Sequence, residues 1–156
     1  MKSLQVIFLT GIFLIGITTA QAQVDKKALN VDDSKIALQG YSPVSYVDLG
    51  LAQRGNRTFK AEYGGVNYYF TDKGQQTRFE ANPQKYLPEY GGFCAFGIYA
   101  GAKFRTDPNK FLVVKGKLYL FLYDVEVDAM QLWLGENETK LIPTADANWA
   151  KLKTAI

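Results

Sequence analysis

An alternating segment and an apolar one, each split by a tight-turn signal, and short helix-capped stretches after them predict an α+β domain. The expected architecture is a small antiparallel sheet built from two β-hairpins and covered by several short helices. The first hairpin is residues 58–63, the pair Gly64-Gly65, and residues 66–70; flanking period-two runs and a Gly-Gly pair that tolerates positive φ are the sequence mark of a hairpin. The second is residues 111–114, Lys115-Gly116 and residues 117–123, whose unbroken apolar character predicts a central position.

Residues 1–22 read as a signal peptide. Lys2 gives the positive start, residues 6–17 form an apolar run, and Ala20-Gln21-Ala22 fits small-x-small cleavage, so the mature chain is expected to begin at Gln23. A membrane anchor is the weaker reading, since about a dozen apolar residues fall short of the roughly twenty a spanning helix needs. The expected location is therefore the periplasm or the extracellular medium, with no membrane span after the leader is removed. Residues 23–39 are polar and weakly patterned and read as an N-terminal tether, and residues 40–156 as one domain with C-terminal helices.

Within that domain Gly40 and Pro43 punctuate, and residues 44–47 alternate like a short strand or turn entry. Residues 49–57 are loop. After the first hairpin, Asp72 offers a helix N-cap with Phe79 on the buried side, and Asn82-Pro83 pairs a cap with a first-turn proline. Pro88 and Gly91-Gly92 stop that segment, and the apolar stretch 93–102 is expected to be buried. After the second hairpin Asp124 is expected to cap a helix to about Leu134, with Val127, Met130 and Leu134 facing the sheet. A polar loop at 135–140 and a last helix from near Asp146, carrying Trp149 and Leu152 on one face, complete the chain.

Composition excludes much. The 156 residues include no histidine and one cysteine. Ser-His-Asp and Cys-His nucleophile pairs, the H-E-x-x-H zinc site and C-x-x-C-H haem attachment are ruled out, as are an intramolecular disulfide and a four-thiolate cage. A net charge of +3 with alternating signs gives no nucleic-acid footprint. Asp124, Glu126 and Asp128 imitate the opening of an EF-hand loop, but Ala129 stands where that loop needs Gly and Gly135 where it needs Glu. A helix start whose acids suit the positive dipole end is the plainer reading.

Four residues are candidates for ligand binding: Tyr41, Tyr63, Tyr90 and Cys94. Glu-Tyr-Gly-Gly occurs at 62–65 and at 89–92 with unmatched flanks, so it reads as two independent turns, or as two phenols lining one pocket. Cys94 is either a small buried hydrophobe or, in the first turn of a helix after Gly91-Gly92, a thiolate for a soft metal such as Cu(I). A carboxylate- or tyrosine-dependent enzyme would need acids such as Glu62 and Glu89 to converge.

Several of these segments together carry a family likeness. Residues 40–46 (Gly-Tyr-Ser-Pro-Val-Ser-Tyr), 63–70, Phe79, 82–86 (Asn-Pro-Gln-Lys-Tyr) and 90–95 (Tyr-Gly-Gly-Phe-Cys-Ala) resemble exported bacterial proteins of the YHS-domain family. Asp107-Pro108, residues 115–120 and residues 145–149 are similar to its longer, secreted branch, so the likeness covers nearly the whole mature chain. It implies a binding module. Short members of the family, found beside heavy-metal transporters, carry cysteines after the Pro-Val step and after the Tyr-Tyr-Phe strand. Here Ser45 and Thr71 stand in those places, with Gln75-Gln76 in the turn beyond, and hydroxyl and amide oxygens are poor soft-metal ligands.

Three readings follow. The first is an exported, non-enzymatic YHS-like binding module for a small ligand or a protein partner. The second is soft-metal handling through Cys94, at a dimer interface that completes the site; the third is the small enzyme.

Overall fold

The computed structural model describes residues 27–124 and 126–154; the leader and the start of the mature chain lie outside them. The fold is α+β, as the patterning predicts. Strands β1 (Asn56–Tyr63) and β2 (Val66–Phe70) form one antiparallel ladder, β3 (Asp107–Val114) and β4 (Lys117–Phe121) another, and each is a separate two-stranded sheet rather than half of one. Both turns use positive φ: Gly64 and Gly65 at 60° and 78°, Lys115 and Gly116 at 50° and 77°. Helices α1 (Lys73–Ala81), α2 (Ala95–Tyr99), α3 (Ala129–Leu134) and α4 (Glu138–Leu152) pack around the two ladders.

Several expectations change in the folded chain. The described part of the expected tether is docked: Leu29 and Val31 pack on the core, Ala37 and Leu38 are buried, and Asn30 Nδ2 donates to Gly92 O at 2.8 Å. Residues 45–49 form a π-helical turn, not a strand, which buries Tyr46 completely. Asp124 closes a turn by accepting from Glu126 N and Val127 N, and Asp128 is the residue that caps α3. The buried face of α3 is Ala129 and Trp133, while Val127 and Leu134 are exposed. Starting the helix later rotates that face, and the indole, the larger apolar group, takes the interior. Asn137 caps α4 through Thr139 N, so the last helix starts in the expected loop and runs through Pro143.

The backbone contains a repeat that the side chains conceal. Asn56 pairs with Phe70, Lys60 with Tyr69 and Tyr63 with Val66, with an irregularity between residues 56 and 60. At a constant offset, Asp107 pairs with Phe121, Phe111 with Leu120 and Val114 with Lys117, with the same irregularity between 107 and 111. The segments before the ladders match as well. Leu38 and Gln39 are left-handed at φ 53° and 52°, followed by Gly40; Tyr90 and Gly91 are left-handed at 54° and 61°, followed by Gly92. Ser42 N donates to Gln53 O and Tyr46 N to Ser42 O; Cys94 N donates to Phe104 O and Ile98 N to Cys94 O. The parallel bridges Ile36–Asn67 and Pro88–Leu118 complete the match.

The chain is thus two similar units, roughly residues 36–87 and 88–143, each a left-handed turn, a helical turn, a hairpin and a capped helix. The first core gathers Val44, Tyr46, Tyr68, Phe70 and Phe79 around Leu118 and Leu120; the second gathers Cys94, Ile98, Tyr119, Phe121 and Trp133. Strand β4 therefore has one face in each core. That double burial is why its sequence is apolar throughout.

Candidate functional site

The four candidate ligand residues fall in different cores. Tyr41 and Tyr63 pack on the first, Tyr90 and Cys94 lie in the second. The Tyr41 ring lies under the Arg54 guanidinium at 5.6 Å. Tyr63 meets Phe79 edge-on and its hydroxyl accepts from Gln84 Nε2. Tyr90 donates its hydroxyl proton to Asp146 Oδ1 at 3.0 Å, its ring 5.9 Å from Tyr119 and 6.2 Å from Trp149. Burial, reinforced by the Asp146 charge, raises the Tyr90 phenol well above its usual range, so it stays a neutral donor. The two Tyr-Gly-Gly segments play separate roles, one a hairpin turn and the other the left-handed entry to the second unit.

Cys94 is 1% exposed and caps α2, its Sγ accepting from Gly97 N at 3.4 Å. Burial pushes the thiol up, outweighing the backbone N–H groups of Leu122, Gly97 and Phe96 that favour the thiolate. A protonated, enclosed sulfur is a small hydrophobe and a weak acceptor, not a nucleophile. Among the described residues no group of three or more His, Cys, Asp or Glu is placed to hold a metal ion. Glu62 lies exposed on β1 opposite Asn67, whereas Glu89 pairs with Lys117 at 3.3 Å, so the two acids serve different ladders.

The built polar site lies instead between the first π-turn and α1. Ser42, Ser45 and Gln75 are the buried polar side chains there, at 0%, 0% and 2% exposure. Ser42 Oγ donates to Gln75 Oε1 at 2.5 Å, and Thr71 N donates to the same oxygen at 3.3 Å. Gln75 Nε2 donates to Ser45 Oγ at 2.9 Å, and that hydroxyl passes its own proton to Gln53 Oε1, also at 2.9 Å. Asp72 fixes the frame by capping α1 through Gln75 N, which aims the amide inward, while Thr71 turns its hydroxyl to Asp72. The Ser42 and Ser45 hydroxyls and the Gln75 carboxamide are neutral and bonded to one another, so these three buried side chains carry no charge to offer a ligand.

Positions 45, 71 and 75 are those at which the family likeness would place thiolates or the turn that carries them. Ser45 lies some thirty residues before the other two and meets them here. Ser42 and Gln53 are the members that the sequence did not single out; the available signal for the first was the Ser-Pro-Val-Ser spacing, which brings two hydroxyls to one side of a turn. The two units also match at this point: Ser45 N donates to Ser42 Oγ at 3.4 Å as Gly97 N does to Cys94 Sγ. Cys94 is thus the counterpart of Ser42.

Compared with family models, with curated proteins and with solved structures, the chain gives no match.

Proposed function

We propose that this chain is an exported YHS-like binding module without catalytic chemistry of its own, in which a neutral hydrogen-bonded plug stands where the family carries soft-metal ligands. The observation that supports it most is the convergence of Ser45, Gln75 and the Thr71 backbone in one buried cluster. A site left open for metal would show buried acceptors without partners; this one closes on itself. Two hydroxyls and two carboxamides make a poor soft-ion cage, and the lone thiolate precursor, Cys94, sits in the other core.

Metal analysis of the exported protein, purified without chelator beside Cys94→Ala, tests the reading. Negligible metal in both is expected. Stoichiometric copper that is lost in Cys94→Ala would overturn it in favour of Cu(I) handling, at a site completed by a second copy. The family assignment has its own test: Ser45→Cys combined with Gln75→Cys should gain about one Cu(I) per chain.

A further inference from the structure

The two units differ in how one equivalent cleft is filled. In the second unit the left-handed turn at Tyr90-Gly91-Gly92 is covered by the chain's own segment 28–31, which turns tightly as Val31 N donates to Leu29 O at 2.9 Å. Asn30 N donates to Gly91 O at 2.9 Å, and Asn30 Nδ2 donates to Gly92 O at 2.8 Å and to Thr106 Oγ1 at 3.3 Å. The approach is so close that a Cβ on Gly91 would lie 1.9 Å from Ala28 O. Just beyond, Asp32 lines a groove with Arg105; hydrogen bonds from the Ser34 hydroxyl and N–H hold its carboxyl below the usual range, and the Arg105 charge adds to them.

Among the described residues the first unit has no such segment over its turn, and Gly55 N donates to Gly40 O at 2.8 Å, so an occupant there is held by side chains rather than by that carbonyl. Its turn, Leu38-Gln39-Gly40, borders an open cleft of about 140 Å³ lined by Ile36, Gly40, Arg54, Arg57 and Tyr69. Counterparts align one by one: Ile36 with Pro88, Gly40 with Gly92, and Arg54 with Arg105, the residue beside the acid of the docked segment. Arg57 adds a second guanidinium. Among the described residues neither Arg54 nor Arg57 has an ion-pair partner, and Arg54 has only the Tyr41 ring beneath it. Gln39 stands in place of Gly91 and turns its amide away to Thr106 O at 2.7 Å. Its Cβ keeps an occupant's backbone further from the turn, so charge must carry more of the recognition than it does in the second unit.

We infer that the first unit's cleft binds an acidic segment of a partner polypeptide, at the place that residues 28–32 occupy on the second unit, with its carboxylates on Arg54 and Arg57. Guanidinium forks suit carboxylates bidentately, and the Tyr69 face and Ile36 supply apolar contact for the neighbouring side chain. A second copy of this chain is the poorer occupant, because lending its 28–33 segment would empty its own second-unit cleft. The inference rests on the repeat and stands independently of the family reading.

The test uses the exported chain, labelled with ¹⁵N, and a capped peptide with the sequence of residues 28–33 (Ala-Leu-Asn-Val-Asp-Asp). Amide shifts confined to Ile36, Gly40, Gly55 and Tyr69 are expected. An analogue with Asn for both Asp residues, and the variant Arg54→Ala with Arg57→Ala, should each bind about tenfold more weakly or worse. Both arginines are exposed, so the variant should keep the parent's melting temperature. No shift at these amides at millimolar peptide would overturn the inference, as would equal shifts from acetate or phosphate, which would mark a small-anion site. Shifts at Gly91, Gly92 and Thr106 instead would mean exchange with the chain's own segment and would overturn it too.

Discussion

The outer faces of the two hairpins share one backbone and differ in almost every side chain. On the first unit that face carries Lys60, Glu62, Asn67 and Tyr69, at least partly open to solvent; on the second the matching positions are Phe111, Val113, Leu118 and Leu120, packed against the first core. The contrast follows from what lies next to each. Between the units the Phe111 ring sits 4.7 Å from Tyr46, whose hydroxyl donates to Pro108 O at 2.7 Å. On the far side of the second unit α4 covers the core: Asn148 Nδ2 donates to Ile98 O at 3.1 Å and Tyr99 O at 2.9 Å, and Trp149 and Leu152 pack on that core. A repeat stacked on one neighbour needs an apolar inner face and a polar or capped end. Register is thus a property of the unit, and polarity a property of its neighbours.

Exchanging residues between matched positions tests that statement most severely. Leu118→Asn imports the outer-end residue into a site with no exposure, and should cost more than about 3 kcal/mol in urea unfolding. Asn67→Leu, the reverse exchange on the polar end, should change stability by only about 0.5 kcal/mol. Equal effects would show that the two faces are not distinguished by burial.

A smaller difference is expected at the matched caps. Gln75→Leu strands the Ser42 hydroxyl and Thr71 N, leaves the Ser45 hydroxyl with Gln53 alone, and should cost about 2–3 kcal/mol, the penalty of leaving buried polar groups unmade. Cys94→Ser brings the first unit's residue into the second and should cost only about 1 kcal/mol, because Gly97 N is already aimed at that position. The same unfolding curves measure both. A Cys94→Ser cost above that of Gln75→Leu would mean that the caps are not equivalent.

The smallest expected effect concerns acid. Asp48 is found only in the first unit, Ala100 being its counterpart. Partial burial pushes the Asp48 carboxyl up, but hydrogen bonds from Lys85 and Tyr86 and the Arg78 charge outweigh this and hold it below the usual carboxylate range. With a folded value below the ordinary 3.8, its contribution is complete above that pH and is lost as the pH falls through the folded value. The melting-temperature gap between the parent and Asp48→Ala should therefore be small near neutrality and close below about pH 3.8. A gap that widened in acid would reverse the sign of the argument.

Both hairpins could be read from the sequence because Gly64-Gly65 interrupts a period-two run and Lys115-Gly116 an apolar one, a local signal that needs no tertiary partner. Asp72 and Phe79 were readable for the same reason. The α3 face was not, since choosing Trp133 over Leu134 depends on which start the helix takes, and Asp124 and Asp128, four residues apart, offer competing caps: one closes a turn, the other opens the helix. The polar cluster was half visible. Ser45, Thr71 and Gln75 stand at places the family likeness marks, whereas Gln53 looks like any residue of a polar loop until the Ser45 hydroxyl bonds it.

The sequence by itself determined the α+β class, the two ladders and their turns, and the absence of imidazole chemistry, because each follows from residue type or short-range periodicity. Tertiary structure decided the rest. It divided the four candidate ligand residues between two cores and gathered Ser42, Ser45 and Gln75 into one. It also showed two units whose outer faces share so few residues that only their dihedral angles and hydrogen-bond registers betray the match. Backbone geometry persists where side chains diverge, since packing constrains a side chain through its neighbours and a strand register through its own turn.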